Sequence, residues 1–494
     1  MSKKRFPSQI KLLVFIMIAA VLISPLPAHT TALAQDTVTT DTTCRFGIDA
    51  PLPITAEQDL LQLGVGSLLD WGAANNPTLP EGIEYIRVLR LRNDLYPGTL
   101  ANLAAWVGAN PGSVWVVGNE PDTTYEDQDA LLPEVYADRY YEVATTIRQL
   151  DRTAQIGFGS IVQPTPIRMR YLQRAWNRLV ADAGSTLSAS RLVDIWTPHS
   201  FILNEAVGEW GTGVPPGFEN DHGDAVIITD FADTYSISIF MQRIINFRVF
   251  MASLGERNKP LWITEYGSLF PSAQPPEPPY YYLVDENTTA LYMWNTFNFL
   301  LTASEHQTGM PADANRLVQR WYWYSLNDHL YHFGGSIYNP DYPNYGPLLT
   351  LVGLNLKIHQ EMNIVPPDLL PESLTVSPIS FGTDPSLVNY RLDTIIGNNA
   401  FDDATCGTLR IYDGDPNAGG TLVIGPVYAS AFLANNGTAR VTSYWEDVVP
   451  LTDHTLYVCV DSVVTPDVDP SNNCSAYGVT LELPTIINLP IVLR

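Results

Sequence analysis

A chain of 494 residues is too long for one ordinary domain; at roughly 150 residues per domain it holds two or three, and a single (β/α)8 barrel absorbs about 250. Its 52 acidic residues outnumber 27 basic ones, and the formal charge of −25 repels nucleic acid and anionic surfaces and disfavours polyanionic substrates. A neutral polymer fits that field, as does plain solubility outside a cell; no Cys/His cluster has zinc-site spacing, and no Gly-rich phosphate loop follows a strand.

The N-terminus reads as an export signal. Lys3, Lys4 and Arg5 precede an apolar run from Leu12 to Leu26, and Ala32-Leu33-Ala34 is an A-x-A cleavage site, so residues 1–34 are expected to be removed before Gln35. That segment carries four basic residues and no acid, which takes the mature charge to −29. An uncleaved membrane anchor is the other reading, but the run is short and contains Pro25 and Pro27. Residues 35–43 read as a linker, and the protein is expected to be secreted, with no membrane span once the signal is gone.

From Cys44 to Met362 apolar strand-like runs alternate with stretches of helical period. Eight strands are expected: Arg45–Ala50, Gly66–Trp71, Tyr85–Leu91, Val114–Asn119, Ile156–Ile161, Val193–Pro198, Leu261–Glu265 and Trp321–Leu326. Helices are expected at Pro133–Gln149, Ile167–Ala183, Asp233–Leu254, Glu286–Ser304 and Pro347–Gln360. Eight β/α repeats argue for an α/β domain, a parallel TIM barrel over 44–362. An open doubly wound sheet is the alternative.

Pro366, Pro367 and Pro371 mark a linker over 363–372. Residues 373–484 show short strands and little helical period, as in an all-β sandwich. Strands are expected at Leu422–Tyr428, Thr438–Trp445 and Thr455–Asp461, and Asn435-Asn436-Gly437 reads as a hairpin turn. Residues 485–494 form an apolar tail, either a last strand or a surface signal. Cys459 lies on one strand and Cys474 opens the next, so they are expected to bridge, leaving Cys44 and Cys406 as a second pair joining the domains. The final barrel helix should deliver the sandwich to the N-terminal face of the barrel, away from the active site.

Two strands end in glutamates. Val116-Val117-Gly118-Asn119-Glu120-Pro121-Asp122 closes the fourth, and Leu261-Trp262-Ile263-Thr264-Glu265-Tyr266-Gly267 is the seventh. Strand tips at the C-terminal face are where a barrel builds its active site. A facing pair of carboxyls, one protonated and one ionised, is the equipment for glycosidic bond hydrolysis. Such chemistry needs no metal or cofactor.

With Asn119-Glu120 on strand four and Glu265 on strand seven, residues 44–362 resemble the clan A retaining glycoside hydrolases. The short Gly-Asn-Glu-Pro-Asp segment is similar to the endo-β-1,3-glucanase-like families with Asl1-like catalytic cores. The resemblance implies Glu120 as acid/base and Glu265 as nucleophile. It further implies Asn119 on the sugar 2-hydroxyl, His199 in support of the nucleophile and Trp323 as floor of the −1 subsite. Alternation along strand eight sends Trp321 and Trp323 one way and Tyr322 and Tyr324 the other. Tyr266 is a candidate rim contact and Trp71 a candidate sugar platform. Rings in the strand-end loops would stack on a polysaccharide or oligosaccharide: Trp210 and His222, then Tyr280, Tyr281 and Tyr282, then Tyr331, Tyr338, Tyr342 and Tyr345.

The second module resembles the CARDB-type, immunoglobulin-like adhesion modules of exported bacterial proteins. Leu456-Tyr457-Val458-Cys459-Val460-Asp461, followed by Asp469-Pro470-Ser471-Asn472-Asn473, carries that likeness. It implies attachment to a cell surface or glycan. Two functions stand open: a secreted retaining β-glycoside hydrolase, or a catalytically silent glycan-binding adhesion protein. The sugar, the linkage, endo or exo action and the oligomeric state are not written in these motifs.

Overall fold

The computed structural model describes residues 45–484, except 74–76, 81–82, 126, 273–281, 345, 364–367, 400–406, 430–436 and 463–466. The N-terminal segment, Cys44, Cys406, Tyr280, Tyr281, Tyr345 and the apolar tail therefore lie outside the described residues. None of the described helices is long and apolar enough to cross a membrane.

The first eight strands are β1 (Phe46–Asp49), β2 (Ser67–Asp70), β3 (Glu84–Leu89), β4 (Val114–Val117), β5 (Gln155–Phe158), β6 (Ile195–Trp196), β7 (Trp262–Gly267) and β8 (Arg320–Tyr324). They form one parallel sheet in the order β6-β5-β4-β3-β2-β1-β8-β7. A parallel bridge between Trp196 and Leu261 closes it into a barrel. Helices α1 (Tyr96–Ala109), α2 (Pro133–Leu150), α3 (Pro166–Ala183), α4 (Thr186–Ser190), α5 (Ile237–Ser253), α6 (Glu286–Thr302) and α7 (Leu351–Asn363) follow the third and later strands. Proline at the first turn opens α1, α2 and α3, where its missing N–H costs nothing.

The strands are legible because both of their faces are buried. One face packs on the helices through residues such as Ile48, Trp115, Val117, Phe158 and Trp323. The other fills the barrel with Leu69, Ile86, Val88, Val114, Val116, Ile195, Trp262 and Tyr322. Gly47 is required there, since a Cβ would stand 2.3 Å from the Tyr322 ring. Toward the N-terminal end Arg320 pairs with Glu84 at 2.7 Å and lies over the Trp262 ring, so the barrel is plugged rather than open.

The C-terminal module is all β. A three-stranded antiparallel sheet holds β9 (Leu369–Phe381), β10 (Val388–Asn398) and β13 (Gly437–Val448). A four-stranded one holds β11 (Gly407–Asp413), β12 (Thr421–Ala429), β14 (Asp453–Ser462) and β15 (Cys474–Thr480). Their inner faces share one core that includes Tyr390, Leu392, Ile411, Val441 and Val458. Cys459 and Cys474 are cross-strand partners of β14 and β15 and are disulfide-bonded.

Two boundary expectations change. β9 begins at Leu369, inside the segment read as linker, and Pro371 sits in this edge strand near a register shift, where no ladder N–H is missed. The strands flanking Asn435-Asn436-Gly437 do not pair: β12 joins β11 and β13 joins β10. Asn435 and Asn436 themselves lie outside the described residues. The module lies against the starting ends of β3 to β5, where Glu84, Ser113 and Gln155 face Val423–Val427 and Thr442–Tyr444 across a groove of about 620 Å³.

Candidate active site

At the opposite end of the barrel Glu120 and Glu265 come together. Glu120 follows β4 through Gly118, and its own backbone is left-handed, with φ +43°. A non-glycine residue held there is strained, and such strain persists only where the surroundings impose it. The surroundings here are specific. Glu120 N–H donates to Ser160 O at 2.9 Å, and Asn119 N–H donates to Asp129 Oδ2 at 2.8 Å. Asp129 also accepts from the backbone of Leu91 and Arg92 and from Arg90 Nε. It thereby ties the ends of β3 and β4 together. Beyond Pro121, Asp122 is fully buried and paired with Arg168 at 2.6 Å, and Arg168 also pairs with Glu205 at 2.8 Å.

Glu265 reaches the same cavity by a different device. Ile263 pairs with Trp321 but Tyr266 pairs with Trp323, so β7 carries one extra residue against β8. This β-bulge breaks strict alternation. Trp262 faces the barrel interior, Ile263 and Tyr266 face the helices, and Glu265 is turned inward.

His199, beyond β6, stands between the two glutamates. Its Nδ1 lies 3.0 Å from Glu120 Oε1, and its Nε2 lies 3.5 Å from Glu265 Oε1. Trp71 Nε1 donates to Glu265 Oε1 at 2.7 Å. All three titratable groups are buried. Burial pushes the Glu265 carboxyl up to about 7; the His199 charge opposes this and the Glu120 charge adds to it. For His199 burial works against the imidazolium, but the charges of Glu265 and Glu120 outweigh it and hold the ring above its ordinary value. Groups this close share protons and titrate as a set.

The cavity above them measures about 700 Å³, within the range of small-molecule and glycan sites. Trp71 and Tyr324 wall it beside Glu265. Trp210, Phe270 and Tyr282 form an aromatic patch in which Tyr282 stacks on Phe231, and Tyr331 stacks on Phe333 at another edge. Asn119 lines the cavity with its amide bonded to Gln128 Oε1 at 2.6 Å. Of the expected residues, Glu120, Glu265, Asn119, Trp71, Trp210, Tyr282 and Tyr331 therefore line one cavity, with His199 bridging the pair of glutamates.

Tyr266 and Trp323 do not. Tyr266 is wholly buried among Phe240, Phe297 and Trp323, with its hydroxyl near Thr296. Trp323 is wholly buried on the helix side and donates its indole N–H to Gly335 O at 2.7 Å. Alternation along β8 holds, but the other pair faces inward, and Tyr324 takes the place expected of Trp323. His222 is exposed and apart from the cavity, Tyr338 is buried with its hydroxyl toward Asp59 O, and Tyr342 is exposed outside it. Arg90, Asp129, Gln128, Tyr324 and Asp49 were not singled out in the sequence. Asp49 and Arg90, each next to last in an expected strand, carried a positional signal, and Gln128 and Asp129 carried none.

Glu120, His199 and Glu265 offer ligand atoms within 4.8 Å of one another, a spacing that could hold a cation. The same spacing suits proton sharing.

No family model matches the chain, and no curated protein matches it. Among solved structures it is similar to a GH128 (subgroup I) endo-β-1,3-glucanase from Amycolatopsis mediterranei in complex with laminaritriose. That match has 15% identity and a TM-score of 0.40, and covers 64% of this chain and 99% of that one. A GH128 (subgroup VII) oligosaccharide-binding protein from Cryptococcus neoformans matches at 12% identity and TM-score 0.40, over 66% of this chain and 96% of that one. A glucosidase from Croceicoccus marinus matches at 9% identity and TM-score 0.40, over 82% and 93%. Likenesses this distant assign no role to any residue.

Proposed function

We propose that the protein is an exported retaining β-glycoside hydrolase acting on a neutral polysaccharide by double displacement. The observation that carries this is the buried pair at the C-terminal end of the barrel: a Glu120 and a Glu265 oxygen lie within 4.8 Å of each other, with His199 between the carboxyls. That closeness supports the retaining arrangement, with carboxyls about 5–5.5 Å apart, over the inverting one at about 6.5–9.5 Å.

In this reading Glu265 attacks the anomeric carbon while Glu120 protonates the departing oxygen. Glu120 then takes a proton from the water that releases the sugar. His199 holds the two carboxyls in register, and its charge opposes the burial that raises Glu265, which favours Glu265 as an anion. Trp71 adds a neutral donor to the same oxygen. Asn119, oriented by Gln128, offers its amide to a hydroxyl of the bound sugar. Trp71, Trp210, Tyr282 and Tyr331 present rings to the apolar faces of sugar units.

Neutral substrates fit the charges: the cavity wall holds Glu120, Asp127 and Glu265 against Arg90, which already bonds Asp129. The N-terminal segment directs export, and the sandwich, on the far end of the barrel, serves attachment without crowding the cavity.

The test is hydrolysis of a glycan panel by purified mature protein: β-1,3-glucan, mixed-linkage glucan, cellulose, mannan, xylan and arabinogalactan. The expected result is turnover of one class, undiminished by exhaustive chelation. Binding without turnover across the panel would make the protein a glycan-binding module. Activity lost on chelation and restored by one metal would make the Glu120–His199–Glu265 cluster a cation site.

A further inference from the structure

Asp49 closes β1 in a place the proposed chemistry has not used. Phe46 and Ile48 pack on the helix side, so Gly47 and Asp49 point into the barrel, and Gly47 indeed abuts the Tyr322 ring there. Leu69, the register partner of Asp49 on β2, belongs to the interior cluster. β1 and β8 lie between β2 and β7 in the sheet, so the Trp71–Glu265 hydrogen bond passes over the strand tip that carries Asp49. The Asp49 backbone is fixed, accepting from Leu326 N–H at 2.8 Å. Its side chain does not line the cavity. It lies below the floor and would not touch a sugar.

Asp49 is fully buried, and among the described residues neither of its carboxyl oxygens has a hydrogen-bond partner from the protein. The other buried acids differ. Asp122 has Arg168, Glu84 has Arg320, Asp313 has Arg45, and Asp129 has Arg90 and backbone amides. Among the described residues Asp49 is the carboxyl with both oxygens bare. An anion without a donor is costly to bury, and a neutral acid far less so. Two neighbouring buried carboxyls do not both ionise cheaply. Between Asp49 and Glu265 the donors decide: Glu265 receives the Trp71 indole N–H and faces the His199 ring, and Asp49 receives nothing.

We propose that Asp49 is a positioning residue for the double displacement, a neutral carboxylic acid beneath the cavity floor that holds the proton which would otherwise quench Glu265. The titratable groups that interact with it are Glu265 from β7 and Tyr324 from β8; Leu69 is its register partner on β2. Their electrostatics agree: burial and the Glu265 charge hold Asp49 well above the ordinary carboxyl range. With that proton in place, the negative charge of the pair stands on Glu265, the group that must attack. The role rests on the reading of Glu265 as nucleophile, but the neutral acid itself does not.

Infrared difference spectroscopy on the mature protein with isotope-labelled aspartate tests it without needing turnover. Near neutral pH the wild type should show a protonated carboxylic-acid C=O band that Asp49→Asn lacks. In Glu265→Gln, which removes the neighbouring charge, that band should titrate at least about one unit lower. Absence of the band in the wild type, or an unmoved midpoint in Glu265→Gln, overturns the proposal. The second comparison stands even where Asp49→Asn does not fold. A protein inert on every glycan, with the band in place, removes the hydrolase reading and with it the positioning role, and leaves the neutral buried acid standing.

Discussion

Trp71 Nε1 donates a 2.7 Å hydrogen bond to Oε1 of Glu265, joining the ends of β2 and β7 across 194 residues of chain. The bond favours the ionised carboxyl, against the burial that pushes it up to about 7. Trp71→Phe keeps a ring and removes the donor. The acid limb of kcat/KM should then move up by about half to one unit, and kcat/KM at the optimum should fall roughly tenfold, as for loss of a hydrogen bond to a charged group. A pH–rate profile checks this; an unmoved limb would mean that the bond is absent in the working site.

Burial of Glu265 also makes stability depend on pH. A carboxyl raised from its unfolded value of roughly 4.3 binds more protons when folded, so its contribution is fully present at low pH and is lost as pH rises toward about 7. Glu265→Gln removes that ionisation. It should stabilise the fold by on the order of 1–3 kcal/mol at pH above 7 and change little near pH 4. Thermal melts of both proteins at the two pH values decide it.

Arg168 carries the loop that presents Glu120. It is wholly buried, with Asp122 on one side and Glu205 on the other, and its Nη1 also donates to the Asp122 carbonyl at 2.6 Å. Arg168→Met strands two buried carboxyls and should cost about 3–5 kcal/mol. Adding Asp122→Asn and Glu205→Gln should recover part of the loss, measured by denaturant unfolding. No recovery would mean that packing, not charge, dominates there.

Much of this site was legible because strand tips in a barrel have a fixed direction. A run such as Val114–Val117 buries both faces, so Glu120 beyond it had to emerge at the C-terminal end. The failures have local causes. Tyr266 follows Glu265 immediately, and neighbours on a strand face opposite ways, so one inward residue sends the next outward. The bulge before it, which depends on pairing with β8, leaves no mark in the residues themselves. Trp323 and Tyr324 are equally aromatic, and only the phase of β8 against its neighbours separates them. Asp49 sits in Phe46-Gly47-Ile48-Asp49, where nothing distinguishes an interior acid from a turn residue. A turn signal before Thr438 does not say which sheet receives the next strand, and β13 joins β10 rather than β12.

The two glutamates should separate by leaving group. Glu120→Ala should lose at least about a hundredfold on natural glycan, as for removal of a general acid. It should lose far less on activated aryl glycosides, whose leaving groups need no proton, in the glycosylation step. Glu265→Ala should abolish turnover of both. Equal losses on both substrate types for Glu120→Ala would remove it as the acid.

The most direct measurement is the anomeric configuration of the first product, followed by proton NMR during hydrolysis of whichever β-glycan the protein cleaves. Double displacement by Glu265 with Glu120 as acid/base predicts that the β-anomer appears first and the α-anomer only later, by mutarotation. Initial release of the α-anomer would contradict the account, because it would require a water between two carboxyls that bring an oxygen each within 4.8 Å of one another.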